Sequence, residues 1–207
     1  MTIEKDFFRQ VMGHFATGVT VVTTSNQGVV SGLTVNAFCS VSLNPPLVLI
    51  CIDIHSTAMT QIRESGAFAV NMLTEQQEDL SRCFATQSDE RFKHFCHASY
   101  HAVATGAPVL ADVLAFVDAR VVAEYPGGDH SIFLGQVEAL GIGGKVLFAD
   151  AREAENATDH NGQTPPPDEA PLTYYLGHYR RLADAYRTPS MNKPVGTTQP
   201  HSDNDVQ

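Results

Sequence analysis

GVVSGLTVNAFCSVS (residues 28–42) and PPLVLICIDI (45–54), running into HSTA (55–58), decide the fold of this chain. Both stretches are rich in Val, Ile, Leu and Thr, and they are bounded by Asn26-Gln27-Gly28 and Asn44-Pro45-Pro46. That is strand composition between turn signals. Strands are expected at 18–24, 28–35, 46–53 and 67–73, the first two as a hairpin. Ser56 precedes TAMTQIR and reads as a helix N-cap. The stretch therefore places small hydroxyls, one Asn amide and a helix N-terminus where a planar, phosphorylated ligand could be held.

Outward from this centre, Ile3, Phe7, Phe8, Val11, Met12 and Phe15 recur at the spacing of an amphipathic helix over 3–15. Thr74-Glu75-Gln76-Gln77 is a capping-box pattern that opens a short helix through Leu80 and Phe84. Residues 115–124 alternate with period two, and 132–140, 145–148 and 173–182 complete the strands, with Gly143-Gly144 as a hairpin turn. Many short strands, few helices and no regular strand-helix alternation predict a mainly β fold, a barrel rather than a doubly wound sheet. One domain is expected over 1–182. Within it, 151–171 is polar, acidic and proline-rich and reads as a surface excursion or lid. The tail 183–207 has scattered prolines and no period, and is expected to be disordered.

Composition removes several function classes. The chain has 207 residues, 43% of them hydrophobic, with a net charge of −10. No run approaches a membrane span, and no basic stripe is available to displace counterions from nucleic acid. The amino terminus lacks a signal pattern. Cys39, Cys51, Cys83 and Cys96 show no C-x-x-C spacing, so free thiols in a reducing cytoplasm are the simplest reading. There is no P-loop and no G-x-S-x-G elbow. His94, Cys96, His97 and His101 form a dense cluster, and His97 and His101 would share a face if helical. No second ligand group has structural-site spacing, so no metal is expected.

Taken with FATGVTVVT (15–23), FAVNML (68–73), DERF (89–92), GDHSIFLGQV (128–137) and YYLGHY (174–179), the central stretch resembles the flavin reductase family of the FMN-binding split barrel. The ordered match runs from about 7 to 182. It is similar in particular to the small NAD(P)H:flavin oxidoreductases that feed reduced flavin to a separate monooxygenase. The resemblance implies FMN or FAD as flavin, NADH or NADPH as co-substrate, a homodimer with flavin near the subunit interface, and a monooxygenase partner. Two alternatives are a flavoprotein of the same fold that retains FMN and reduces a bound acceptor, and one that only binds flavin.

By the same resemblance Thr34, Val35, Asn36, Ala37, Ser40, Ser42, Asp53, His55, Ser56 and Thr57 line the flavin, and Arg91 and Phe92 approach from a later loop. The residue types suit the task. Strand-edge amides can meet the pyrimidine edge of the ring, and the free N–H groups and dipole of a helix N-terminus favour phosphate. Read alone, Ser56 is a plain N-cap, and Thr34 and Asn36 are edge or turn residues. His130 follows a Gly-Gly turn and matches the family's G-D-H. It is the candidate catalytic residue, either positioning the nicotinamide or assisting a proton at the flavin.

Overall fold

The structure, a computed structural model, describes residues 3–150 and 169–182. The expectations for residues 151–168 and for the tail 183–207 lie outside the described residues. An amphipathic helix, α1 (Lys5–Gly13), is followed by β1 (Thr17–Gly18), β2 (Thr20–Asn26), β3 (Val29–Val35), β4 (Phe38–Leu43) and β5 (Pro46–Asp53). Then come α2 (Thr57–Ser65), β6 (Ala67–Met72), a 3-10 turn at Glu75–Gln77, α3 (Glu78–Ala85), α4 (Asp89–His94) and a second 3-10 turn at Phe95–His97. The remaining strands are β7 (Tyr100–Ala102), β8 (Pro108–Leu110), β9 (Ala115–Gly127), β10 (His130–Ile142), β11 (Lys145–Phe148), β12 (Thr173–Tyr175) and β13 (His178–Arg180).

The fold is mainly β. Its principal sheet runs β3-β2-β6-β9-β10-β5-β4, with β11 paired to β10. The two ends of this sheet, β3 and β4, are consecutive in the chain, joined by Asn36-Ala37. No ladder closes them among the described residues. The Cys51 N–H donates to the Ala37 carbonyl at 3.0 Å, carrying the β4–β5 pairing one residue back into the Asn36-Ala37 link. The stretch 28–42, which looks continuous in sequence, is thus two strands on opposite edges of one sheet. Residues 173–182 likewise split into a hairpin, β12–β13, at Leu176-Gly177.

Two apolar cores share the sheet. Inside the curved face lie Val22, Val48, Ile50, Ile52, Phe68, Val70, Val117 and Phe133, closed at one end by Met59 and Ile62 of α2. On the outer face of β2 and β6, Val21, Ala69, Leu73, Phe116 and Leu172 pack against Phe84 of α3, Phe95 and the β7–β8 pair. Burial on both faces explains why β2 reads as an unbroken apolar and threonine run rather than an alternation. Asn71, wholly buried, joins the layers: its Nδ2 donates to the Val21 carbonyl and to Thr23 Oγ1, and its Oδ1 accepts from the Leu110 N–H.

The hairpin at Gln27-Gly28 has positive φ at both turn residues (51° and 82°), the geometry that suits a right-twisted strand pair. Ser56 caps α2, and Thr74 with Gln77 forms the expected capping box, although it opens a 3-10 turn before α3. The end of the 151–171 segment is tied to the core by Ala170 and Pro171. Ala170 is buried, its carbonyl accepts from the Glu75 N–H at 2.8 Å, and Pro171 bridges to Thr74.

The expectation of four free thiols is corrected. Cys83 and Cys96 form a disulfide with Cα atoms 6.0 Å apart, while Cys39 and Cys51 remain thiols. The pairing is set by how α3 meets the turn after α4, and no local spacing announces it. The shared helical face for His97 and His101 is also not found: His97 lies in the 3-10 turn and His101 in β7. His97 Nε2 lies 2.7 Å from Glu90 Oε2, and its ring stacks on His94. No helix among the described residues is long and apolar enough to cross a membrane.

Candidate functional site

Strand β5 ends at Asp53 and the chain turns at once into α2. Asp53 makes that turn: its Oδ1 accepts from the His55 N–H (2.7 Å) and its carbonyl from the Ser56 N–H (2.9 Å). Ser56 Oγ accepts from the Ala58 N–H at 3.3 Å, and its carbonyl takes the Met59 N–H. His55 and Thr57 are exposed beside it. The N–H groups of residues 55, 56, 58 and 59 are thereby used within the turn. A ligand anion arriving here would meet the Thr57 N–H and the Ser56 and Thr57 hydroxyls, not an open ring of amides.

The β5–β10 register sets His130 directly opposite Asp53. His130 Nδ1 is 2.7 Å from Asp129 Oδ1, and the Asp129 carbonyl accepts from the Ile54 N–H at 3.1 Å. The hydrogen bond from His130 holds the Asp129 carboxyl below its ordinary range. An ionised Asp129 places the proton on Nδ1 and leaves Nε2 of a neutral ring as an acceptor. So Asp53, His55, Ser56, Thr57, Asp129 and His130, from two segments more than seventy residues apart, meet at one end of the sheet.

A second group gathers on β3. Thr34 Oγ1 donates to the Ser81 carbonyl of α3 (2.6 Å), and Arg91 Nε donates to the Gly32 carbonyl (2.9 Å). Arg91 is 8% exposed, and no carboxylate pairs with it among the described residues. Burial lowers its pKa, since nothing nearby compensates the desolvated charge. Its guanidinium carbon lies 5.0 Å from the centroid of the Phe92 ring, which is itself about half exposed. Val35 is buried in the core, whereas Asn36 and Ala37 are exposed and join β3 to β4, the Ala37 carbonyl accepting from the Cys51 N–H of β5.

Ser40 and Ser42 stand apart. They pair with Val48 and Leu47, so Ser42 is six residues along β5 from Asp53, roughly 20 Å at 3.3 Å per residue. Ser42 Oγ accepts from the Asn44 N–H in the turn. Sequence reasoning gave no role to Ser81 and Gly32, whose carbonyls receive Thr34 and Arg91, and took Asp129 only as part of the G-D-H motif, without its bond to His130. Only Asp129 had a local signal, its place beside the histidine.

A buried cation on an edge strand, with no acidic partner among the described residues, suits an anionic ligand. Residues 12–183 match the model of the flavin reductase like domain. The chain is 32% identical over 188 residues to the reductase subunit HsaB of a flavin-dependent monooxygenase from Mycobacterium tuberculosis, covering 91% of this chain and 88% of the relative. It is 40% identical to an NADH-dependent flavin reductase of a Rhodococcus species over 84% of each chain. Among solved structures, the NADH:FAD oxidoreductase SgcE6 of Streptomyces globisporus, in complex with NAD and FAD fragments, superposes with a TM-score of 0.70 at 31% identity. That match covers 88% of this chain and 95% of the other. With most of its length matched by the family model and by relatives above 30% identity, this chain belongs to the flavin reductase family.

Proposed function

We propose that this protein is an NAD(P)H:flavin oxidoreductase that supplies reduced FMN or FAD to a partner monooxygenase, with the flavin held between the β3–Arg91 group and the entrance of α2. The carrying observation is Arg91, a nearly buried guanidinium with no acidic partner among the described residues. An anionic ligand would supply the missing charge. Ser56 and Thr57 would add hydroxyl donors to the phosphate, and the Asn36-Ala37 backbone would meet the ring edge.

The chemistry is hydride transfer from reduced nicotinamide to flavin, which needs orientation and exclusion of water more than acid-base groups. His130, its Nδ1 turned to Asp129, presents Nε2 as an acceptor for an amide or ribose donor of the nicotinamide. In this reading it positions the co-substrate. The relatives' names, an NADH-dependent flavin reductase and a monooxygenase reductase subunit, support both the donor and the partner class.

The active form in this reading is a homodimer. On β5 and β10 the residues facing away from the core are Leu47, Leu49, Cys51, Ile132 and Leu134, half-buried among the described residues, and α1 has no buried residue. Phe7, Phe8, Val11 and Met12 of that helix are each more than half exposed. An apolar area of this kind suits a second copy of the chain. We place the protein in the cytoplasm, where reduced nicotinamide is available.

The test is to mix flavin-stripped protein with NADH, then add free FMN. NADH oxidation that appears only with flavin supports the reading. Full turnover without flavin would overturn it, and tight FMN binding without NADH oxidation would favour a flavoprotein that only binds.

A further inference from the structure

Cys83 and Cys96 clasp a short piece of chain made of the end of α3, the link 86–88, α4 and the start of the turn behind it. Their sequence neighbours do the packing. Phe84 and Phe95 stand edge to face at 5.1 Å, and both rings lie against Gly32, where an added Cβ would come within 2.7 Å of Phe84 and 3.3 Å of Phe95. Gly32 is also the residue whose carbonyl receives Arg91. Two positions along the same strand, Thr34 is bonded to Ser81 of α3. A closed circuit results: α3, the disulfide, α4 with Arg91, Gly32 and Thr34 of β3, and back to α3.

The weak member of that circuit is the turn. Phe95, Cys96 and His97 have φ of 49°, 53° and 53°, three consecutive non-glycine residues in the left-handed region. Each disfavours that conformation because Cβ crowds the following carbonyl oxygen, so the run persists only where its surroundings hold it. Phe95 is held by packing, and His97 bonds Glu90 of α4 itself, so it moves with the segment. The covalent tether from the turn to α3 is Cys96.

We propose that the Cys83–Cys96 pair is a redox latch on the Arg91 segment, closed by peroxide and opened by dithiols, which tightens flavin binding when closed. The proposal rests on the reading that Arg91 serves the flavin phosphate. The oxidant is a by-product of the activity: reduced flavin that meets dioxygen instead of a partner yields oxidised flavin and hydrogen peroxide. One cysteine thiolate attacks the peroxide, breaking the O–O bond and giving a sulfenic acid with loss of hydroxide. The other thiolate attacks that sulfur, forming the S–S bond and releasing a second hydroxide; the two thiol protons complete two waters. A reducing dithiol reverses the link by exchange and is itself oxidised to a disulfide. With the latch open the turn relaxes, the end of α4 loosens, and Arg91 is no longer fixed on Gly32. Unconsumed reduced flavin would thereby slow its own release.

The experiment uses the full chain, as isolated and after reduction with a phosphine followed by anaerobic desalting. Thiol titration in denaturant should give two thiols in the first state and four in the second, matching the pairing seen here. FMN titrated by fluorescence should bind about tenfold more weakly to the reduced protein, the loss of a single charge-assisted contact. Riboflavin should change much less, and amide exchange across 89–97 should rise on reduction. Adding hydrogen peroxide should restore the affinity. A Cys83→Ala or Cys96→Ala variant should bind like the reduced protein in every condition. Four thiols as isolated and after peroxide, or equal FMN affinity and equal exchange in the two states, would overturn the latch. No FMN binding in either state would instead count against the flavin reading itself, so the two failures are distinct; the wild-type comparison needs no variant to fold.

Discussion

The two halves of the principal sheet use the same strand chemistry and end in different conditions. Strands β2 and β6 are covered on both faces, inward by the core inside the curved sheet and outward by Phe84, Phe95, Leu110 and Leu172 of the same chain. Strands β5 and β10 are covered inward by the same core, yet outward they present Leu47, Leu49, Ile132 and Leu134, left half-buried among the described residues. β10 alternates buried and half-buried residues along most of its length, but over 132–134 both sets are apolar. A strand whose outward positions are leucine and isoleucine is built for a cover that the described residues do not provide. The first half teaches what a finished outer face looks like, and the second is where ligand and partner are to be sought.

The comparison can be broken hardest on the finished half. Phe84→Ala empties a fully buried ring position between α3 and β3 and should cost about 3–5 kcal/mol of stability. Urea unfolding would check this, and a loss under 1 kcal/mol would mean that the outer core is loosely held. On the bare half, Leu134→Asp should leave monomer unfolding nearly unchanged while weakening self-association by about 2–4 kcal/mol. Sedimentation over a concentration series reads it; unaltered association would show that this face is not where copies meet.

The end of the bare half carries the candidate chemistry. Ser56→Ala with Thr57→Val should weaken FMN binding by about 1–3 kcal/mol, two hydrogen bonds to a charged group, and riboflavin binding much less. Equal losses for both would leave Arg91 as the phosphate contact. His130→Ala should lower kcat/KM for NADH about five- to hundredfold at saturating flavin, with flavin affinity within a few-fold. If the loss falls on flavin affinity instead, His130 belongs with the flavin.

The smallest effect is a pH dependence. Arg63 and Ser131 hydrogen-bond Glu124 and bring its carboxyl down to about 2. Its unfolded value lies near about 4.3, so the stabilisation is present above that pH and is lost as pH falls towards the folded value. Arg63 is half exposed, and solvent screens the pair, so Glu124→Gln should cost no more than about 1 kcal/mol at pH 7. The gap between variant and wild type in urea midpoint should shrink by pH 3. A gap that widens in acid would reverse the sign of this account.

Period and punctuation carried much of the chain by themselves. The Val/Ile/Thr runs with their turn residues defined β2, β3, β5, β6 and β9, while Ser56 and Thr74 announced their caps, because these are contests among neighbours within a few residues. The ordered motifs from 15 to 179 were enough to point to the flavin reductase family. Tertiary structure alone decided the rest. Residues 28–42 split across the seam because β3 and β4 belong to opposite edges, a choice made by the partners β2 and β5 and not by the segment. Cys83 found Cys96, Arg91 found the Gly32 carbonyl, and His130 came to face Asp53, since contacts between distant segments are set by how the sheet curls and leave no period in either segment. Whether an apolar alternate position is core or bare surface is decided the same way: Val21 and Leu134 are equally hydrophobic, and only the packing of α3 and β8 over one of them makes the difference.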